Sequence, residues 1–177
     1  AFISKLKKYS DYVIQYSIDE AWVIFDGFES LYGKGQMVKL AYDLKDEIKG
    51  ELGFTVNIGI PDNFLLSKMA GDFSKPDKVH TLFPEEIKEK IWPLPVSELF
   101  FVGRATTKKL YALGIKTIGE LANADEAMLR AHLKSMGEVI QGYARGEDLQ
   151  PYMFTHDANK GYGNSLTAPQ DIVTREY

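Results

Sequence analysis

The stretch IWPLPVSEL, Ile91 to Leu99, divides the chain into two textures. Ahead of it, apolar residues switch between strand-like alternation and helical spacing. Behind it, everything reads as short helices, with turn signals at Gly103, Gly114, Gly119 and Gly137. Pro93 and Pro95 fix their own backbone angles and withhold N–H donors, so the pair reads as a linker. A chain divided in this way is an α+β unit followed by a small all-helical one. The helical part, of about fifty residues, would be marginal by itself.

Within the first unit, Phe2, Leu6 and Tyr9 have helical spacing, and Lys5, Lys7 and Lys8 are expected to face outward. Strand-like runs follow at Tyr12 to Ile18 and Ala21 to Phe25, and Gly27, Gly33 and Gly35 mark a loop. Met37, Leu40, Ala41, Leu44 and Ile48 then line one face of an amphipathic helix, which Gly53 closes. FTVNIGI is the cleanest strand, with Phe54, Val56, Ile58 and Ile60 alternating against Thr55, Asn57 and Gly59. Asp62 reads as the N-cap of a helix whose apolar face is Leu65, Leu66, Met69, Ala70 and Phe73, and which Pro76 stops. Val79 to Phe83 reads as a short strand, and Pro84 opens the next helix. The order β-β-α-β-α-β predicts a mostly antiparallel sheet with helices on one face. It looks like a ferredoxin-like unit whose first strand is absent. Residues 1–93 form this unit, 94–148 the helical one, and 149–177 a polar stretch leading onward.

Composition removes several classes of function. There are no cysteines, which excludes disulfides and thiolate metal sites and suits a reducing cytoplasm. His80, His132 and His156 lack the spacing of a transition-metal site. No apolar run approaches the ~20 residues needed to cross a bilayer, and AFISKLKKYS is not a secretory signal. The net charge is −4, so a phosphate-bearing partner must be gripped by local groups or by a metal rather than by a global field.

One stretch conflicts with its surroundings. In YSIDEAWVIFDG, Asp19 and Glu20 sit side by side between two strand-like runs. Unpaired charge against a core costs several kcal/mol (~2–7 for a neutral polar group, more for an ion). The pair is either a solvated turn or a site for a hard divalent cation, which takes carboxylate oxygens. Adjacent strand residues point to opposite faces, so two such carboxylates converge only where a strand bends or ends. A two-metal site also needs a further carboxylate. No obvious candidate exists: Asp26 lies at the far end of its strand, and Asp62 and Asp72 on a later helix.

YSIDEAWVIFDG resembles the S-[IV]-D-E-A signature of the Y-family DNA polymerases, the lesion-bypass enzymes of the DNA polymerase IV and V type. IGIPDNFLLSKMAGDFSKPDKVH is similar to the family's palm-helix stretch. VSELFFVGRATTKKLYALGIKTIGELA resembles its helix-hairpin-helix thumb, and GYGNSLT the segment that leads into its final DNA-gripping domain. The four stretches occur in family order and spacing and cover nearly all of the chain.

The resemblance implies a role for each matching residue. Asp19 would bridge two catalytic Mg²⁺ ions, and Glu20 would hold the ion that activates the primer 3′-hydroxyl. Lys75, before Pro76, would contact the incoming triphosphate. Gly103, Arg104, Ala105 and Thr106 would present backbone N–H groups to a DNA phosphate. Lys68 matches a family lysine that faces template or solvent. Trp22, Trp92, Met136 and Tyr143 are read as packing residues. The implied partners are primer–template DNA and dNTP, together with a sliding clamp through a C-terminal domain absent from this sequence. No membrane partner is implied, and the implied location is the cytoplasm.

The departures from the family pattern carry expectations of their own. The family's other catalytic aspartate lies upstream of Ala1, so the chain is expected to bind Mg²⁺ weakly and not to polymerise alone. Its palm edge would be open to a second copy of the chain. Phe101 replaces the first glycine of the hairpin in Phe101-Val102-Gly103, and a phenylalanine there resists positive φ. After the S-I-D-E-A run, Trp22-Val23-Ile24 lacks the family's third acid. Competing readings are a non-catalytic DNA-binding module built on the helix-hairpin-helix and another palm-type enzyme such as a nucleotide cyclase. The thumb match speaks against the cyclase.

Overall fold

The computed structural model describes residues 1–25, 27–147 and Gly163. Asp26, His156, nearly all of GYGNSLT and the polar stretch 149–177 other than Gly163 lie outside the described residues.

The chain opens with helix α1 (Phe2–Leu6), followed by strands β1 (Val13–Gln15) and β2 (Ala21–Val23). These two pair antiparallel, with Val13 opposite Val23 and Gln15 opposite Ala21. Helices α2 (Phe28–Tyr32) and α3 (Lys34–Leu52) come next, and Gly53 ends α3 at φ +76°, the left-handed turn expected of it. The region read as a plain glycine loop therefore contains α2. Strand β3 (Ile58–Pro61), helix α4 (Phe64–Asp72) and strand β4 (Val79–Leu82) complete the first half.

An α+β half is thus followed by an all-helical one, as expected, but the sheet differs in detail. β3 and β4 are parallel, in register from Ile58–Val79 to Pro61–Leu82, and they form a sheet separate from the hairpin. The physical reason is α4: a helix laid back along a strand returns the chain to the same end, so the next strand runs parallel. The approach of α4 is close. A Cβ on Gly59 would lie 2.7 Å from both the Gly71 nitrogen and the Ser67 carbonyl oxygen, so only glycine fits there. FTVNIGI pairs only from Ile58 on, because Phe54 turns out of the ladder to meet the Phe2 ring edge-on at 5.9 Å.

Two further expectations are corrected. Asn63, not Asp62, caps α4: its Oδ1 accepts from the Leu66 N–H at 2.9 Å, while its Nδ2 donates to the Gly146 carbonyl at 2.8 Å. Lys5 does not face outward. It is 4% exposed and paired with Glu47 and Glu51 of α3, whereas Lys7 and Lys8 are exposed.

After a 3₁₀ turn at Pro84–Glu86 come α5 (Ile87–Lys90), a second 3₁₀ turn at Val96–Glu98, α6 (Arg104–Ala112), α7 (Ile118–Ala122), α8 (Glu126–Leu133) and α9 (Ser135–Arg145). Thr117 caps α7 in a reciprocal box with Glu120. The larger apolar core runs from Leu66 and Leu82 through Ile91 and Val96 to Leu110, Ile118, Leu129 and Ile140, without a break at the two prolines. Trp92 and Tyr143 pack with it, and the Trp92 indole donates to the Ala144 carbonyl at 3.0 Å. Met136 is not a packing residue, since it is 44% exposed on α9. A smaller core gathers Leu6, Leu44 and Ile48 beneath α1 and the hairpin.

Candidate functional site

The hairpin register leaves residues 16–20 to turn the chain between β1 and β2. The backbone N–H groups of Tyr16 and Ser17 both donate to the Glu20 carbonyl, at 2.9 and 3.2 Å, which fixes Glu20 at the end of the ladder. Asp19 is exposed and accepts a 2.7 Å hydrogen bond from the Ser17 hydroxyl. The carboxylates therefore stand on a rim and keep access to water, so the large burial penalty does not fall on them.

Lys68 meets this rim from α4. The Lys68 ammonium lies 3.3 Å from Glu20 Oε2, and it sits over the Tyr16 ring at 4.9 Å and the Phe100 ring at 5.2 Å. Lys75, just beyond the end of α4, pairs with Asp72 at 2.5 Å. The Asp72 hydrogen bond holds Lys75 above the ordinary lysine value. Partial burial works against this, and the charges of Glu20 and Asp19 add to it. The structure thus brings Lys68 to Glu20, beside Asp19, so Lys68 is turned to a carboxylate of the rim rather than left to solvent, while the ion pair of Lys75 is with Asp72. Sequence reading missed Tyr16, Phe100 and Asp72 as members of the cluster. Asp72 was signalled by its spacing from Lys68, which puts the two on one face of α4.

A hard divalent cation suits these donors in kind: carboxylate oxygens at an exposed turn, with cationic side chains placed for a polyanion. Among the described residues no group of three or more His, Cys, Asp or Glu side chains gathers as a metal cluster. Asp19 and Glu20 are the two carboxylates on this rim.

The second group of expected residues lies at the start of α6. Gly103 is the N-cap in extended conformation, and no side chain caps the helix. The first-turn N–H groups of Arg104, Ala105 and Thr106 thus have no capping side chain, at the positive end of a nine-residue helix. A Cβ at Gly103 would meet nothing within 4 Å, so internal packing does not demand glycine there. Arg104, Thr107, Lys108 and Tyr111 line an open depression of about 450 Å³ beside it. Phe101 takes φ +68°, the conformation a glycine would adopt freely, while its ring contacts Phe100 and Tyr143 at centroid distances of 4.3 and 5.6 Å. The backbone path of the hairpin survives the substitution at the cost of local strain.

The impB/mucB/samB family model matches residues 1–72, and the IMS family HHH motif matches residues 84–115. A DNA polymerase IV of Clostridium acetobutylicum is 44% identical over 176 residues, covering 99% of this chain and 44% of that protein. A DNA polymerase IV 1 of Bacillus subtilis is 36% identical over 182 residues, covering 99% of this chain and 42% of that protein. Among solved structures, DinB from Sulfolobus solfataricus superposes with a TM-score of 0.72 at 24% identity, covering 85% of this chain and 44% of that one, and shows the same fold. The chain spans less than half the length of the curated relatives it matches.

Proposed function

Because the chain belongs to the Y-family DNA polymerases of the DNA polymerase IV group, we propose that it carries part of the palm (residues 1–93) and the thumb (94–148) of a template-directed lesion-bypass polymerase. The observation that carries this reading is the rim itself, where Asp19 stands exposed beside Glu20 at the hairpin turn and Lys68 of the palm-helix stretch reaches Glu20 at 3.3 Å.

Asp19 and Glu20 are the residues that would hold Mg²⁺. When bound, two such ions would supply activation of a primer 3′-hydroxyl and neutralisation of a leaving pyrophosphate. Lys75 would contact triphosphate oxygens, and its raised pKa keeps it charged for that role. The α6 N-terminus, with Arg104 beside it, offers backbone N–H groups to a DNA phosphate, so a chain of net charge −4 still grips DNA locally. The partners of this reading are primer–template DNA and dNTP, with a sliding clamp and a second copy of the chain across an open sheet edge as further ones. Its cellular setting is cytoplasmic DNA repair.

With two carboxylates on the rim, this chain alone is expected to bind Mg²⁺ weakly and leave a primer unextended. The absence of a three-carboxylate cluster among the described residues is the one observation that favours a non-catalytic DNA-binding module. Asp19→Asn separates the two. In the protein that carries this sequence, it should abolish primer extension while leaving duplex affinity within about twofold. Retained extension would remove the acidic pair from the chemistry. Lys75→Ala should raise the KM for dNTP about tenfold or more, the worth of one charge-assisted contact.

A further inference from the structure

Lys68 has a position that the proposed chemistry does not use. Its ammonium is held on three sides: by Glu20 Oε2 at 3.3 Å, by the Tyr16 face at 4.9 Å and by the Phe100 face at 5.2 Å. Those contacts come from separate parts of the molecule, since Tyr16 and Glu20 belong to the hairpin turn, Lys68 to α4, and Phe100 to the chain entering the thumb. The rings continue outward on both sides. Tyr16 stacks on Trp22 at 4.9 Å, and Phe100 meets Phe101, which meets Tyr143 of α9. The next acid along α4, Asp72, is engaged by Lys75, so the ion pair of Lys68 in this structure is with Glu20.

A cation at Glu20 and an ammonium within hydrogen-bond distance of the same carboxylate repel each other, and the two compete for its oxygens. Resting on the reading of the acidic pair as a metal site, we propose that Lys68 is the built-in counter-ion of Glu20. It occupies the carboxylate when no divalent cation is bound and leaves it when one binds. Tyr16 and Phe100 retain the ammonium after it leaves, because cation–π attraction holds it over the rings without the carboxylate. Occupancy of the acidic pair is thereby linked to the entrance of the thumb through Phe100. Lys68 acts here as a positioning residue, through Glu20.

The test uses Mn²⁺ as probe and follows free Mn²⁺ by electron paramagnetic resonance on this chain. Lys68→Met keeps the aliphatic stem and removes the charge, and Lys68→Gln serves the same purpose with a polar tip. Either should tighten Mn²⁺ binding about two- to fivefold, the range of a partly exposed ion pair. Lys68→Arg should leave binding at the parent level. In the Glu20→Gln background the gain from Lys68→Met should vanish, because the carboxylate for which the two cations compete is gone. Phe100→Leu should weaken binding by a smaller factor, because the ammonium then loses a ring that holds it once it has left Glu20. Unchanged or weaker binding in both Lys68→Met and Lys68→Gln overturns the proposal, as does a gain that persists in the Glu20→Gln background. An inert Phe100→Leu overturns the link to the thumb. If Asp19→Asn and Glu20→Gln leave Mn²⁺ binding untouched, the metal reading itself fails. If they weaken it while the Lys68 variants do not tighten it, only the counter-ion proposal fails.

Discussion

Around Ile48 the core is small. Leu6 and Leu44 complete its fully buried part, and charges ring it: Lys5 with Glu47 and Glu51, and Tyr9 donating to Glu47. Nearby, Lys45 is also buried, reaching Asp46 at 2.6 Å and Asp77 at 3.0 Å. Around Leu110 and Ile118 the core is broad and apolar, and its buried polar contacts are side chain-to-carbonyl bonds such as Gln141 to Ala124, with the ion pairs Arg130–Glu138 and Arg145–Glu126 on the exposed surface. The first region is tuned by pH and salt, the second by packing volume. The acidic pair stands on the hairpin of the first region, and Lys68, which meets it, stands on a helix whose apolar face belongs to the second. The candidate site is therefore a junction between a charge-held region and a packing-held one.

The largest effect should come from the packing-held region. Leu110→Ala, at a side chain with 0% exposure, should cost about 2–5 kcal/mol in urea unfolding. An equal loss from Ile48→Ala, with the hairpin and thumb unfolding together, would break the comparison and make the two regions one cooperative unit.

Next comes the contact between α4 and β3. Gly59→Ala forces a Cβ into backbone 2.7 Å away, and about 1–3 kcal/mol should be lost as α4 moves off β3. Because α4 carries Lys68, the same variant should also lengthen the Lys68–Glu20 contact. A crystal structure or a Lys68 side-chain NMR shift would read this.

A smaller effect, confined to the first region, should follow pH. Hydrogen bonds from Lys5 and Tyr9 lower Glu47 from its ordinary 4.5 to about 2. A carboxylate depressed on folding contributes stability that is complete above its unfolded pKa and is lost as pH falls toward the folded one. The region around Ile48 should therefore loosen between about pH 4.5 and 2, ahead of the region around Leu110. At the other end, burial and the Glu47 hydrogen bond push Tyr9 from 10.0 up to about 12. A group raised on folding contributes below its unfolded pKa and loses that contribution as pH climbs from about 10 to 12. Amide exchange or NMR peak loss at Ile48 and Leu110 across both ranges measures the contrast.

The smallest effect belongs to Phe101. Phe101→Gly relieves a left-handed backbone worth about 1 kcal/mol but removes ring contacts to Phe100 and Tyr143 of similar size. Thermal stability should shift little, while affinity for duplex DNA should rise as the bulky ring leaves the hairpin. Weaker DNA binding would show that the ring itself supports the thumb.

How much was legible in the sequence depends on the range of the interaction concerned. Helix α3, its Gly53 end and the acidic pair at a turn were readable, because each is set by residues within a few positions of one another. Lys5 was misread although it lies at i+3 from Phe2 and four before Tyr9, on the buried stripe. Its partner Glu47 is 42 positions away, and no local rule connects them. The N-cap of α4 was placed one residue early because Asp62 and Asn63 are both good caps, and only Asn63 also reaches Gly146 across the fold.

By itself, then, the sequence left a core continuous across Pro93 and Pro95 illegible, but it determined the change from mixed strands and helices to helices alone, the helical and strand periods, and the residue types suited to cation and phosphate chemistry. These follow from backbone sterics and side-chain chemistry acting over a turn or two. Tertiary structure alone decided that β3 and β4 run parallel, that Lys5 is buried, and that Lys68 faces Glu20 between two aromatic rings. Each of these requires segments far apart in the chain to be brought within contact, and that proximity is fixed by how the two cores pack around α4.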